Sequence, residues 1–565
     1  MYWTLIVILF PILCAAAAAR IYERRTESLF AIAVSAITFL GSVANVFLVR
    51  GGALYTWGLG TLGIFESMLR LDSLSALFSL FSSFVWLAAA IYMYSYMRYE
   101  EHITSFYTYF LITLGATQGI FLAGNFIVLL VFFELMSFTS GAWVKHHESQ
   151  EAEQAESLYH HLSLAAGVFM GVAVILLYLA GVAPVVGSPA VNPRSTTPFI
   201  WAVLLLMGAF GIKAGMFPLH IWLPKAHPVA PTPASALLSG ILIKTGAYGL
   251  IRTGQLVNWG QTDLIPWAGT LLVVVGSITM LLGVCLALLQ GNAKRLLAYH
   301  SVSQMGYIIL GIGAALFLKN DGAFGIAGAV LHSLNHALFK SALFFGVGII
   351  ILGTGEADLY KLGGLWKRFP LTGIMMLIAA LGITGTPGLN GYISKTLLHH
   401  GILEAAATGR PIMVWAERIF TLVGVGTTAS FIKLMGLAFL GKQKTPVKFN
   451  RGENKALAVA MLMLSAAMLV IGTMPEWALG LLVEPAAESC GTVGLSVLGH
   501  VDFFTWPAIR GMLLTLLAGF LLFAVGMKTH LFHLQLPKWL SIDWAVRTAW
   551  KKLVQITRGG EQVEK

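Results

Sequence analysis

The sequence is short of charge. Of its 565 residues only 11% are Asp, Glu, Lys or Arg while 57% are hydrophobic, and the mean hydropathy is +0.79. A soluble domain carries about a quarter charged residues, so a water-soluble globule is excluded and a multi-span membrane protein is indicated. Cysteine is scarce too. Cys14, Cys285 and Cys490 lie far apart, with no C-x-x-C pair and no run suited to an iron–sulfur cluster. No redox centre or cofactor-binding motif is visible. The chain also lacks H-E-x-x-H and Glu-x-x-His, so no zinc or di-iron helix motif is present and no metal site is expected. The apolar run at 2–19 lacks a charged n-region, which points to an uncleaved first helix rather than a signal peptide. Net charge is +11, but the basic residues sit in loops and at the C-terminus. That balance reports membrane topology and not a nucleic-acid partner.

What the chain has instead is about fifteen apolar stretches of the roughly twenty residues that cross a bilayer as a helix. Lipid offers no partner for free N–H and C=O groups, so these stretches must be helical. They fall near 2–19, 29–49, 71–95, 105–122, 124–143, 159–181, 198–223, 233–253, 264–289, 300–317, 322–352, 371–407, 415–440, 455–473 and 509–527. The stretch at 322–352 is too long for one straight crossing and the one at 371–407 is interrupted, so each should bend or break. Lys and Arg gather in loops after odd-numbered spans: Arg20, Arg24, Arg25; Lys294, Arg295; Lys361, Lys367, Arg368; Lys442, Lys444, Lys448, Arg451, Lys455. The loop at 474–508 is acidic, with Glu476, Glu484, Glu488 and Asp502. The positive-inside rule then puts the N-terminus outside and the C-terminus in the cytoplasm, in the cell's inner (plasma) membrane. One odd loop is acidic (Glu148, Glu151, Glu153, Glu156), which counts little in that rule. From His530 onward the tail mixes apolar residues with Lys538, Arg547, Lys551, Lys552 and Arg558. It reads as an amphipathic helix on the membrane surface, or as a dock for a partner subunit.

Charges inside the apolar stretches are costly, at about 2.5–3.5 kcal/mol each near a span centre on insertion scales. Glu134 has an apolar run behind it in GNFIVLLVFFELMSFTSGAW. An end-of-helix carboxylate near the headgroups is the plainer reading, but its depth argues for a partnered, titratable group facing the bundle. Lys213 lies five residues before Pro218, which should break the helix. Broken helices at mid-membrane are how transporters build ion sites. Glu134 and Lys213 are therefore an expected pair, against the alternative of a lysine snorkelling to the interface. A connector rich in Pro and His, with His220 and His227 as accessory candidates, leads to a second run carrying Lys244 near its middle. His332, His336 and Lys340 are spaced i, i+4, i+8, one above another on one helix face. Two histidines four apart on one helix cannot take opposite faces of a haem, so a stepped proton relay fits better. In GITGTPGLNGYISKTLLHHG, Pro387 and Gly388 with the flanking glycines interrupt the run, and Lys395 follows, with His399 and His400 a turn further on. Two interrupted spans at corresponding places suggest an inverted repeat with sites at its interface.

With these residues in view the chain resembles the antiporter-like membrane subunits of respiratory complex I, Mrp-type sodium/proton antiporters and energy-converting membrane-bound hydrogenases. The motifs that carry the resemblance are FFELMS (132–137), KAGMFPLHIWLPKAHPVAPTPASALLSGILIKTGAYG (213–249), KRLLAYHSVSQMGY (294–307), HSLNHALFK (332–340) and the break ending in Lys395. The resemblance implies an all-α polytopic fold of about 14–15 spans with two inverted five-helix repeats, each a half-channel. The expected organisation is 1–104 as N-terminal helices, 105–255 and 256–440 as the two half-channels, and 441–565 as C-terminal helices and tail. It further implies Glu134 and Lys213 as a coupling pair, Lys244 as connector, His332, His336 and Lys340 as the central bridge, and Lys395 as a gate. That last position is Lys in some subunits of the family and Glu in others. The distal subunit of complex I carries a long lateral helix near its C-terminus, where this chain has a loop, one span (509–527) and a short tail, which weakens that particular assignment. The function expected is H⁺ translocation as a subunit of a multisubunit respiratory or hydrogenase-type oxidoreductase, beside other membrane subunits. The alternative is a Mrp-type Na⁺/H⁺ antiporter subunit without redox coupling.

Overall fold

A computed structural model describes residues 2–62, 65–190, 193–257, 267–442, 452–491 and 494–534, with Pro537. The basic tail from Lys538 onward, and Lys444, Lys448 and Arg451, lie outside the described residues. Each expected stretch is helical over most of its described residues. The first part of the chain holds α1 (Tyr2–Ala18), α2 (Arg24–Leu48), a hairpin of β1 (Tyr55–Leu62) and β2 (Phe65–Leu71), α3 (Ser73–Tyr96), α4 (Ile103–Phe121), α5 (Phe126–Val144) and α6 (Gln150–Leu179). Then come α7 (Thr196–Ala214), α8 (Leu223–Val229), α9 (Thr232–Leu237), α10 (Ile243–Val257), α11 (Ala268–Leu288), α12 (Ala293–Leu318) and α13 (Ala323–Thr354). The rest is α14 (Pro370–Thr384), α15 (Asn390–Ala407), α16 (Pro411–Met435), α17 (Lys455–Thr473), the short α18 (Pro475–Ala478) and α19 (Glu484–Glu488), and α20 (Trp506–Lys528). Among the described residues 12 helical segments are long and apolar enough to cross a membrane, and Trp3–Ala18 and Pro370–Thr384 are shorter apolar helices.

Two inverted repeats follow from this order. The first is α4, α5, α6, the broken crossing α7–α8, and α9–α10; the second is α11, α12, α13, the broken crossing α14–α15, and α16. Both breaks have the same local cause. Gly215 (φ 69°) ends α7 and Gly385 (φ 88°) ends α14, each in the left-handed conformation that glycine adopts without a Cβ penalty. The sequence pattern put the breaks at Pro218, Pro387 and Gly388. The helices stop three residues before Pro218 and two before Pro387, because a glycine C-cap satisfies the last carbonyls before the proline is reached: the amides of Gly215 and Met216 bond back to Ile212 and Gly211.

Three further details differ from the sequence pattern. The stretch at 322–352 stays one unbroken 32-residue helix, α13, with no proline inside it. The acidic loop is largely helix: Ser149 caps α6 by accepting the Ala152 amide, and Glu151 and Glu153 fall in the first turn, where the helix dipole favours anions. The loop at 474–508 carries α18 and α19 and packs back on the bundle, Ser489 Oγ accepting the Leu74 amide at 3.2 Å.

Near that contact is a buried ion cluster for which sequence spacing gave no sign. Asp72, which caps α3 through the Ser75 amide, accepts two bonds from Arg252 of α10 (2.7 and 2.9 Å) and one from Arg70 Nε (2.7 Å). Arg252 also donates to Gln255, whose amide reaches the Ser489 carbonyl at 2.8 Å. Burial works to raise the Asp72 carboxyl, but Arg252 and Arg70 outweigh it and hold it well below the usual carboxylate range. The cluster fixes the far end of α10, the helix that carries Lys244.

Candidate functional site: a file of buried titratable groups

In the first repeat Lys213 occupies the last turn of α7, buried. Its ammonium donates to Ser137 Oγ of α5 (2.9 Å) and Tyr159 Oη of α6 (2.6 Å), and lies over the Tyr159 ring at 4.5 Å. Ser137 is one turn along α5 from Glu134, so acid and lysine face the same corner of the repeat. Among the described residues no direct ion pair joins them. The two hydroxyls hold the ammonium instead, and Glu134 Oε1 is buried without a hydrogen-bond partner. The Glu134 carboxylate lies against Gly167 of α6, where a Cβ would stand 2.0 Å from Oε1; only glycine leaves it room.

Lys244 is fully buried in α10. The helix widens by one turn over Leu238–Leu242, and the Ser239 carbonyl there accepts from Lys244 Nζ at 2.7 Å. Gly246 lets α10 approach α7: a Cβ there would lie 2.5 Å from the Ala214 amide nitrogen, next to Lys213. On the other side Ser239 Oγ meets Ser301 Oγ of α12 at 2.5 Å.

The central helix α13 supplies the bridge. His332 bonds Ser394 through Nδ1 (2.9 Å) and Gln304 through Nε2 (3.1 Å). His336 stacks on it, centroids 6.4 Å apart and planes 6° from parallel, with neither ring nitrogen bonded. Lys340 donates to the Leu297 carbonyl of α12. His300, one turn along α12 from Leu297, is buried with both nitrogens unbonded and joins this group. In the second repeat Lys395 of α15 reaches across the break and donates to the last carbonyls of α14, Ile383 (2.8 Å) and Thr384 (3.2 Å). A helix C-terminus leaves carbonyls unpaired and carries the negative end of the dipole, so a cation there is stabilised. Lys213 sits at the same end of α7. Each repeat thus places one lysine at the negative end of a half-helix inside the membrane.

The accessory histidines divide. His227 is buried with both nitrogens unbonded, its ring 4.8 Å from Phe344, whose ring lies 5.9 Å from Lys340 Nζ; it belongs to the central group. His220 is buried beside Phe217, and among the described residues no hydrogen bond or ring contact joins it to the other members. His399 pairs with Glu417 at 3.0 Å and is partly exposed, and His400 packs edge-on to Phe324. His300, Gln304 and Tyr159 were not singled out from the sequence. The first two lie within KRLLAYHSVSQMGY, which carried the signal, while Tyr159 is an aromatic in an apolar run and carried none.

Chemically the arrangement is a line of proton-binding groups on several helices, without a redox centre or nucleophile among its members. Two inverted five-helix repeats, each with a lysine at a broken crossing, define an antiporter-like membrane subunit. The chain belongs to the family described as NADH:quinone oxidoreductase/Mrp antiporter, transmembrane, whose model matches residues 123–423. It is 34% identical over 429 residues to hydrogenase-4 component B of Escherichia coli (strain K12), covering 72% of this chain and 62% of that protein. It is 32% identical over 485 residues to Na⁺/H⁺ antiporter subunit A1 of Staphylococcus aureus (strain JH9), covering 80% of this chain and 58% of that one. In both cases the chain spans less than two thirds of the relative's length. Its fold is similar to a chain in the structure of the Mrp complex from Dietzia sp. DQ12-45-1b, with TM-score 0.77, 23% identity, and coverage of 89% of this chain and 100% of that chain.

Proposed function

We propose that the chain carries protons across the inner (plasma) membrane as the antiporter-like subunit of a multisubunit redox complex of hydrogenase or quinone-reducing type, with the electron chemistry in partner subunits and no cofactor of its own. Residues 105–255 form one half-channel and 256–440 the other, with the N-terminus outside and the C-terminus cytoplasmic. The observation that carries this reading is the succession Lys213, Lys244, Lys340, His336, His332 and Lys395, all buried, with Ser239 and Ser301 beside Lys244 and with Gln304 and Ser394 bonded to His332. Lys213 alternates between Glu134 and the Ser137–Tyr159 hydroxyls. At an effective dielectric near 20, moving two unit charges from about 4 Å to about 8 Å apart changes their interaction by roughly 2 kcal/mol, or about thirtyfold in an equilibrium constant. A charge change in a neighbouring subunit that draws Glu134 away would release the Lys213 proton toward Lys244. From there it passes along the α13 groups to Lys395, water carrying the hops between them.

Glu134→Gln and Lys213→Ala should each abolish proton movement in energised vesicles while the complex still assembles. Unchanged pumping in both variants would show the groups to be structural. The likeness to Na⁺/H⁺ antiporter subunit A1 favours a second reading, a Mrp-type subunit exchanging Na⁺ for H⁺ without redox coupling. Rescue of a sodium-sensitive cell supports it; ion movement that requires hydrogen, formate, NADH or quinone supports the redox complex.

A further inference from the structure

Where α3 gives way to α4 and α5 to α6, two loops bring together Glu100, His146 and His147. Glu100 Oε2 lies 3.0 Å from His147 Nε2 and 3.8 Å from His146 Nε2, and the three ligand atoms are all within 4.8 Å of one another. On a tetrahedral zinc ion, with bonds of about 2.0–2.2 Å, neighbouring ligand atoms are about 3.3–3.5 Å apart, between the two Glu100 distances.

The surroundings orient the donors. His147 Nδ1 is 2.8 Å from the Val229 carbonyl, at the end of α8. A carbonyl only accepts, so Nδ1 carries the hydrogen and Nε2 presents its lone pair toward Glu100. Two electron-rich atoms 3.0 Å apart require a cation on them, either a proton or a metal ion. A backbone carbonyl behind a histidine is a usual support of a metal ligand. His146 is held edge-on by Phe106. Glu100 and His146 are shielded, their side chains 13% and 5% exposed, while His147 at 44% leaves a way in from solvent. Lys294, which interacts with Glu100, is engaged with the Ala230 carbonyl at 2.8 Å.

We propose that Glu100, His146 and His147 form a three-ligand site for a divalent transition metal of the Zn²⁺ class, with its fourth position open to solvent. No helix motif announced it because Glu100 and His147 are 47 residues apart and meet only where the ends of α3 and α5, both packed on α4, come together. Through His147 and Val229 the ion would pin the junction of α8 with α9, beside His227. If the proton-carrying reading above is right, bound metal therefore slows ion movement.

The test is Zn²⁺ titration of the full-length purified chain, without a polyhistidine tag, against a chromophoric chelator, so that binding is read independently of ion movement. One saturable site is expected. Glu100→Gln and His147→Ala should each weaken it at least ~tenfold. His147→Cys, which keeps a zinc ligand, should restore most of the affinity and separates lost ligation from lost fold. His399→Ala, at a separate, partly exposed His–Glu pair, should change nothing. Unaltered affinity in both Glu100→Gln and His147→Ala, or equal loss in His399→Ala and His147→Cys, would leave a plain imidazolium–carboxylate pair and overturn the proposal.

Discussion

Replacing Asp72 by Asn tests whether the buried ion cluster holds α10, the helix that carries Lys244, in place. Asp72 is 3% exposed and faces two guanidinium groups, those of Arg70 and Arg252. Asparagine keeps the shape and one acceptor oxygen but leaves two buried like charges without a counter-charge. Removing one partner of a buried ion pair costs about 3–5 kcal/mol, and here the abandoned side carries two cations, which puts the loss at the upper end. Arg252→Met is milder, because Asp72 still has Arg70 and the Ser75 amide; about 1.5–3 kcal/mol is expected from the lost charged hydrogen bonds. In the double variant one of the two stranded cations is gone, so the combined loss should fall short of the sum by roughly 1–3 kcal/mol.

The assay is the thermal midpoint of each variant in lipid nanodiscs at one scan rate, repeated from pH 8 to pH 3. Asp72 titrates well below its unfolded value of about 3.9. A depressed carboxyl contributes stability above the unfolded value and loses it as pH falls through the folded one. The gap between the parent protein and Asp72→Asn should therefore be flat from pH 8 to about 5 and narrow only below about 4. Strict additivity in the double variant, or a gap that closes near neutral pH, would refute the argument.

Two further outcomes follow from the broken helices and the first lysine. A Cβ at Gly391 would stand 1.9 Å from the Gly382 carbonyl oxygen, a backbone atom that cannot swing aside, whereas Gly388 has open space and only its φ of 87° to strain. Gly391→Ala should thus lower the unfolding midpoint more than Gly388→Ala, whose cost is about 1–2 kcal/mol, and a reversed order would mean that the α14–α15 packing is wrong. Tyr159→Phe removes the oxygen that accepts from Lys213 and bonds Ser140, while the ring and its cation contact stay. A hydrogen bond to a charged group is worth about 1.5–3 kcal/mol, so proton flux in vesicles should fall at least ~tenfold with assembly intact; unchanged flux would remove Tyr159 from the path.

How far the sequence could be read depended on whether a residue's cost was visible locally. Lys213, Lys244, Lys340 and Lys395 stand out because a lysine in an apolar run is expensive wherever it points, and each is buried against an oxygen acceptor. The breaks were legible for the same reason, although glycine and not proline ends each helix. What stayed hidden depended on partners distant in sequence. Asp72 and Arg252 are 180 residues apart, and at the edges of apolar runs each looks like an ordinary interfacial charge until the hairpin, α3 and α10 converge. Tyr159 is hidden by its own composition, since a tyrosine among apolar residues reads as packing. The structure also qualifies the pair that the sequence suggested most directly. Glu134 and Lys213 share a corner of the repeat, yet Ser137 and Tyr159 hold the ammonium and leave Glu134 Oε1 without a hydrogen bond. A lysine with a choice of two sets of acceptors one helical turn apart can switch with little motion of α5, α6 or α7. A permanently closed ion pair at the same place would have to break before any proton moved.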